Sequence, residues 1–351
     1  MARRIVVAGS GAVGASIAYH LALLGAEDVV VAERGELSGG STARAMGGVR
    51  QQFSTPEEVV LARESVAFLA ALGQRFFRQV GYLFVATTEE GLAELEARRT
   101  LQLELGVPVE RVDAAVVPGL AVDDVLGATC CWGDGVADPP AVAGELLRRA
   151  AELGVEVREG VPAEAVAADV LVIACGAWSA ELGATAGVEL PVRPLCRQLL
   201  ETTPLPDLPD GLPMVVEAES GFHFRRRGER FLLAMSDPEP RWTWETQVDE
   251  SLVPDRLERL RRRYPRAAGA TIDRSWAGLY DMTPDAHPIV GRVAEGVYAA
   301  CGFSGHGFMQ SPAVGRALAE LILGGEPSVD LAPYALERFD AGAVFPERLV
   351  L

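Results

Sequence analysis

The stretch from Ile5 to Glu33 most constrains this chain, because its order of residue types builds one structural unit. Ile5-Val6-Val7-Ala8 is a short apolar run that reads as a buried strand, and Val29-Val30-Val31 is a second. Between them Gly9, Gly11 and Gly14 stand at G-x-G-x-x-G spacing, and residues 13 to 24 read as a helix. Glu33 closes the second strand about twenty residues beyond the last glycine, where an acid in such a unit holds a ribose hydroxyl. Gly9 permits the tight turn, Gly11 lets the backbone approach a pyrophosphate, and Gly14 lets the helix pack closely on the strand. The phosphates would lie at Ala12 and Val13, on a helix N-terminus whose free N–H groups and dipole favour negative charge. The spacing therefore predicts an adenine dinucleotide site.

The chain has 351 residues, 49% of them hydrophobic and 23% charged, enough for one large domain or two moderate ones. Its net charge of −17 argues against nucleic acid and anionic membrane surfaces as partners. An anionic substrate stays open, since nearby arginines override the global field at short range. No apolar run is long enough for membrane insertion. The chain opens directly on its first strand, which leaves no signal peptide, so a reduced cytoplasmic protein is expected. The five cysteines form no C-x-x-C pair and the four histidines are scattered, so no metal site is expected. Lysine and asparagine are absent, so no lysine can be catalytic.

Further along, the small residues between Glu36 and Gly48 allow close backbone approach to a ligand. Periodicity predicts helices over 57–72 and 89–105 and a strand over 81–87. Asp138 caps a helix through 153, with Pro139 at its first position. Residues 155–157 and 170–174 add two strands. From Pro191 to Trp276 the chain alternates as antiparallel strands do, Phe222-His223-Phe224 facing Phe231-Leu232-Leu233 across an Arg-Gly turn. A helix over 253–264 interrupts it, and a final strand at 297–300 leads through a glycine-rich turn to a helix over 312–323. The expected fold class is α/β: a discontinuous Rossmann-like dinucleotide-binding domain (residues 1–80, 135–182 and 277–351) with an α+β substrate domain (81–134 and 183–276) built on an antiparallel sheet. A second glycine-rich turn so far from the first implies a cofactor larger than NAD, wrapped by distant segments.

These elements resemble the FAD-dependent D-amino-acid oxidase superfamily across essentially the whole chain. The resemblance rests on the N-terminal fingerprint, Ala174-Cys175-Gly176-Ala177-Trp178-Ser179, Gly278-Leu279-Tyr280-Asp281-Met282-Thr283-Pro284-Asp285, and Gly302-Phe303-Ser304-Gly305-His306-Gly307-Phe308. Within the superfamily it is most similar to sarcosine oxidase, dimethylglycine dehydrogenase and the β subunit of dye-linked L-proline dehydrogenase, with glycine oxidase more distant. The resemblance implies oxidation of a primary or secondary amine beside a free carboxylate, by hydride transfer to flavin N5. Electrons would then pass to oxygen, another acceptor or a partner subunit. Cofactor contacts are implied at Arg34, Ser41, Thr42, Arg44, Ala45, Gly47, Gly48 and Val161, at Ala174, Gly176 and Trp178, and at Gly278, Gly302, Ser304, Gly305, His306, Gly307, Phe308 and Met309.

For the substrate, the resemblance implies that Arg50 holds the carboxylate, a task its planar fork suits; Arg44 is the alternative. The lysine that supplies a second carboxylate contact in sarcosine oxidase is Met309 here, and the oxygen-activating lysine is also missing. Arg241 lies in roughly the latter's segment. Tyr280 stands where glycine and D-amino-acid oxidases carry an arginine, which points away from D-amino acids. The residues that carry a covalent flavin in relatives are replaced by Gly278 and Arg44, so FAD should be non-covalent. His306 lies in the cofactor-cradling turn. Strand alternation turns either His223 or its phenylalanine neighbours toward the pocket. His20 and His287 read as structural.

Overall fold

The computed structural model describes residues 3–346, so the outermost residues of the expected FAD domain, 1–2 and 347–351, lie outside it. A six-stranded sheet runs in the order Ile289–Ala294, Val297–Cys301, Val170–Ile173, Ile5–Ala8, Val29–Glu33, Glu156–Glu159. All its pairings are parallel except that of the first two strands, which form a hairpin. Parallel strands are buried on both faces, and Ile5–Ala8 and Val29–Glu33 carry the valine-rich runs such burial requires. Helix Ala12–Leu23 packs against Pro139–Glu152 and Gly307–Ile322. It lies so near the latter that a β-carbon on Gly315 would stand 2.2 Å from Ser16 Oγ.

An eight-stranded mixed sheet runs Ile272–Met282, Arg193–Thr202, Arg230–Ala234, His223–Arg227, Met214–Glu217, Tyr82–Ala86, Gly127–Cys131, Glu110–Val112. Only Met214–Glu217 with Tyr82–Ala86 is parallel. The expected hairpin is present: Phe224 pairs with Leu233, and Gly228 turns the chain at φ +62°. A small sheet of Gly48–Val49, Gly135–Ala137 and Phe77–Arg78 joins the two parts of the chain. Strands of two and three residues carry no period, so nothing in the sequence announces them. The architecture is thus α/β, as expected.

Asp138 caps its helix by accepting from Ala141 N at 3.2 Å, with Pro139 first in the helix. The last helix departs from expectation. It starts at Gly307, five residues before Pro312, which lies inside it. A proline leaves the carbonyl four residues back without its donor. Here Ser311 Oγ donates to that carbonyl, Phe308 O, at 2.9 Å, so the helix runs through the proline.

Candidate active site

The site begins at the first glycine turn. Gly9 takes φ +100°, and a β-carbon there would lie 2.4 Å from Ala174 O. A β-carbon on Gly14 would lie 2.0 Å from Gly9 O, which is the close helix-to-turn packing its place in the motif requires. Gly11 caps the helix without a side chain, and Thr42 Oγ1 accepts from Ala12 N at 3.0 Å. Ser41 Oγ donates to Leu279 O at 2.6 Å, tying the Ser41–Arg44 turn to the strand Ile272–Met282. Glu33 Oε2 accepts from Ser10 N at 3.0 Å and Ser10 Oγ at 2.8 Å, while Oε1 accepts from Gly35 N at 2.9 Å. The acid therefore also fixes the turn it serves.

The second turn follows strand Val297–Cys301. Gly302 takes φ +75°, and a β-carbon there would lie 2.3 Å from Thr283 Cγ2. Asp281 Oδ2 accepts from Gly302 N at 2.8 Å, and burial pushes this carboxyl up to about 6. Ser304 holds φ +52° and donates its N–H to Asp281 O at 3.1 Å. Gly305 takes φ +97° against the Tyr280 ring, and Gly307 opens the last helix. One cavity of about 570 Å³ runs from Gly9, Gly11 and Glu33 to Gly305, Gly307 and Phe308. Two helix N-termini thus meet it, each presenting backbone N–H donors.

The wall opposite is one face of the eight-stranded sheet. Arg197 pairs with Gly278 and Leu195 with Tyr280, so Arg197 and Tyr280 are diagonal neighbours on one face. The Arg197 guanidinium lies 5.8 Å from the Tyr280 ring centre. His223 also lines the cavity, whereas Phe222 and Phe224 enter the core behind the sheet. Strand alternation is thereby resolved: the histidine faces the site. Its Nδ1 lies 2.8 Å from Gly221 O. A carbonyl only accepts, so Nδ1 carries the proton and Nε2 is left as an acceptor. Burial, helped by repulsion from Arg50 and Arg197, holds His223 down at about 4.

A family model described as FAD dependent oxidoreductase matches residues 4–321. The chain belongs to the FAD-dependent oxidoreductase family. It is 30% identical to glycine oxidase of Geobacillus kaustophilus, over 95% of this chain and 96% of that one. It is 28% identical to the 4-methylaminobutanoate oxidase (formaldehyde-forming) of Paenarthrobacter nicotinovorans, over 96% of this chain and 45% of that longer one. The crystal structure of L-proline dehydrogenase from P. horikoshii matches with a TM-score of 0.90 at 28% identity, covering 98% of this chain and 99% of that one. The protein is an FAD-dependent amine oxidoreductase.

The residues present fit that cofactor. Gly9, Gly11, Ala12, Val13, Glu33, Arg34, Ser41, Thr42, Arg44 and Ala45 line the cavity, as do Ala174, Gly176, Trp178, Gly278, Gly305, Gly307 and Phe308. The Arg34 guanidinium lies 5.0 Å from the Trp178 ring centre, and Trp244 covers that ring at 5.7 Å. Other expected contacts stand behind the wall. A β-carbon on Gly47 would meet Ala137 O at 2.4 Å, and one on Gly48 would meet Met214 Sδ at 2.8 Å. Both glycines therefore serve chain packing. Val161 donates its N–H to Glu33 O, and its neighbours Pro162, Ala163 and Glu164 reach the cavity in its place. Ser304 is buried in its turn and Met309 in the core.

Arg50 and His306 are also set back. Arg50 is 1% exposed, its guanidinium 3.9 Å from the Phe53 ring centre. Its Nη1 donates to Gln52 O at 2.5 Å, and its Nη2 lies 3.4 Å from His306 Nε2. Behind it the buried Asp134 accepts from Gln51 Nε2 at 2.8 Å and Gln52 Nε2 at 3.1 Å, anchoring the segment that carries Arg50. Arg241 is held by Asp237 at 2.9 Å and by Gln198 Oε1, which compensates its charge away from the cavity. His20 and His287 are buried, bonded to Ser16 O and Glu58. Sequence reasoning missed Arg197, although a lone charge within Leu195-Cys196-Arg197-Gln198-Leu199-Leu200 is itself a signal. It missed Asp134 as well, which no local pattern marks.

Proposed function

We propose that this protein oxidises the C–N bond of a small amino acid with a free carboxylate, an N-substituted glycine or a cyclic imino acid. The observation that carries this reading is the continuity of the cofactor cavity with a sheet face bearing Arg197, Tyr280 and a neutral His223. Bound FAD supplies the hydride acceptor. The chain's residues supply the rest. Tyr280 holds the carboxylate end with the positive charge of Arg50 behind it, and His223 Nε2 accepts a hydrogen bond from the substrate amine. His223 stays uncharged near neutrality, so it orients the amine and adds no charge to repel it. Anaerobic bleaching of the flavin, measured across N-methylglycine, glycine, proline and N-alkyl amino acids, tests the reading. Loss of absorbance with one of them is expected; an unbleached flavin with all of them would overturn it.

A second reading keeps the same chemistry but makes the chain the flavin subunit of a larger dehydrogenase, passing electrons to a partner. The similarity to L-proline dehydrogenase and the complete absence of lysine favour it. Reoxidation rates by oxygen and by a dye separate the two.

A further inference from the structure

The loop that follows strand Arg230–Ala234 carries two tryptophans, Trp242 and Trp244, which are 47% and 46% exposed. Both feet of this loop stand on strand Arg193–Thr202. At the first foot, Cys196 donates its N–H to Arg241 O at 2.9 Å, and Arg241 Nη1 reaches across the loop to Gln247 O at 2.6 Å. At the second, Gln198 Oε1 accepts from Asp249 N at 2.8 Å and Gln198 Nε2 donates to Asp249 O at 3.3 Å. Arg241 Nη2 also donates to Gln198 Oε1 at 3.2 Å, so one glutamine serves both feet. Residues 242–246 are left to project, and their two rings point to different partners. Trp242 lies against Arg193, whose guanidinium is 4.7 Å from the ring centre. Trp244 lies against Trp178, with ring centres 5.7 Å apart and planes at 32°.

Trp178 is part of the cofactor cavity. It ends the turn Gly176–Trp178 behind strand Val170–Ile173, on the dinucleotide-binding side of the chain. It stands at the Glu33 end of the cavity. The Arg34 guanidinium is 5.0 Å from its ring centre, and a β-carbon on Gly40 would lie 3.9 Å from its Cζ3. The substrate sheet therefore reaches the cofactor wall through one aromatic pair, within the 4.5–7 Å range in which such pairs attract. A wall made of one side chain holds only as firmly as that side chain is held. We propose that Trp244 is a positioning residue for the cofactor: by packing on Trp178 it keeps that ring closed on the cavity and slows the exit of FAD. The inference concerns the cofactor alone and holds whichever amine is oxidised.

Release and uptake of FAD test this without turnover. Release is timed by the rise in flavin fluorescence when holoenzyme is diluted, and uptake by the quenching of tryptophan fluorescence when FAD is added to apoprotein. Trp244→Ala should release FAD about tenfold faster, the scale of one aromatic pair. It should take FAD up no more slowly than the wild type, and its apoprotein should keep the wild-type Tm. Trp244→Phe, which leaves a ring on Trp178, should restore most of the slow release. Trp242→Ala should release FAD at the wild-type rate, since its ring meets Arg193. Unchanged release from Trp244→Ala overturns the proposal. So does a Trp244→Ala apoprotein with a lowered Tm and slowed uptake, which would make the ring a support of the fold. Equal acceleration by Trp242→Ala and Trp244→Ala also overturns it, tracing retention to the loop as a whole.

Discussion

Gly278 packs directly against Arg44: a β-carbon on Gly278 would stand 3.0 Å from Arg44 Cβ. The family resemblance implies that these are the two positions where a flavin tether would stand, and here both line the cavity and neither is a nucleophile. FAD should therefore leave the protein completely on acid precipitation. Yellow colour in the supernatant and none in the pellet is the expected result; flavin retained by the denatured chain would refute it.

Glu33 is expected to matter twice, once for the ribose and once for the turn. Glu33→Ala removes the acceptor of Ser10 N, Ser10 Oγ and Gly35 N. Hydrogen bonds to a charged acceptor contribute about 1.5–3 kcal/mol each, so FAD affinity should fall about tenfold or more. Equilibrium dialysis of the flavin measures it, and unchanged affinity would remove Glu33 from the site.

Arg50→Ala should lower kcat/KM for the amine by about 30- to several-thousand-fold, since losing a charged partner in a desolvated pocket costs about 2–5 kcal/mol. Arg50→Lys should recover only part, because it keeps the charge but loses the fork that holds Gln52 O and lies beside His306. FAD content should be normal in both. Steady-state kinetics beside flavin quantitation make the check; equal losses of flavin and activity would show that Arg50 supports folding instead.

Acid stability should depend on His20. Burial holds its pKa down at about 4, against an ordinary 6.5. Between those values the unfolded chain binds a proton that the folded chain refuses, so the histidine's contribution is lost as pH falls through this window. From pH 7 to pH 5 that loss is about 2 kcal/mol. Asp134 and Asp281, raised to about 6, act in the opposite direction, because folded carboxyls take protons first on acidification. The readout is therefore a difference between proteins. Urea melts at both pH values should show His20→Gln losing less stability on acidification than the wild type.

Oxygen should be a poor electron acceptor. Electron transfer to oxygen creates an anion, which a fixed positive charge beside the flavin stabilises. The chain has no lysine, and Arg241 is engaged with Asp237 and Gln198. Stopped-flow reoxidation of the photoreduced enzyme should be much slower with air than with a dye. Comparable rates would sink this expectation and turn attention to Arg197.

The first glycine turn, the capped helix after Asp138 and the hairpin around Gly228 were legible in the sequence, because each depends on neighbours a few residues away. Glycine at φ +100° or an acid capping a nearby N–H is a local demand, and it leaves a local mark. The last helix was misplaced at Pro312 because the remedy, Ser311 Oγ on Phe308 O, competes with the proline's usual meaning. The substrate end was the least legible. Whether His223 or Phe224 faced the cavity depended on which side of the sheet the core lay, and strand alternation allows either. Arg50 was recognisable as a binding arginine, but its retreat behind Phe53 and His306 came from the packing of distant segments. Arg197 becomes a site residue only because Ile272–Met282 pairs with its strand and sets Tyr280 alongside. The sequence by itself determined the cofactor, because a dinucleotide is held by backbone geometry that only certain residues adopt. Tertiary structure decided which charges meet the substrate, because that depends on side chains brought together across the sheet from positions far apart in the chain.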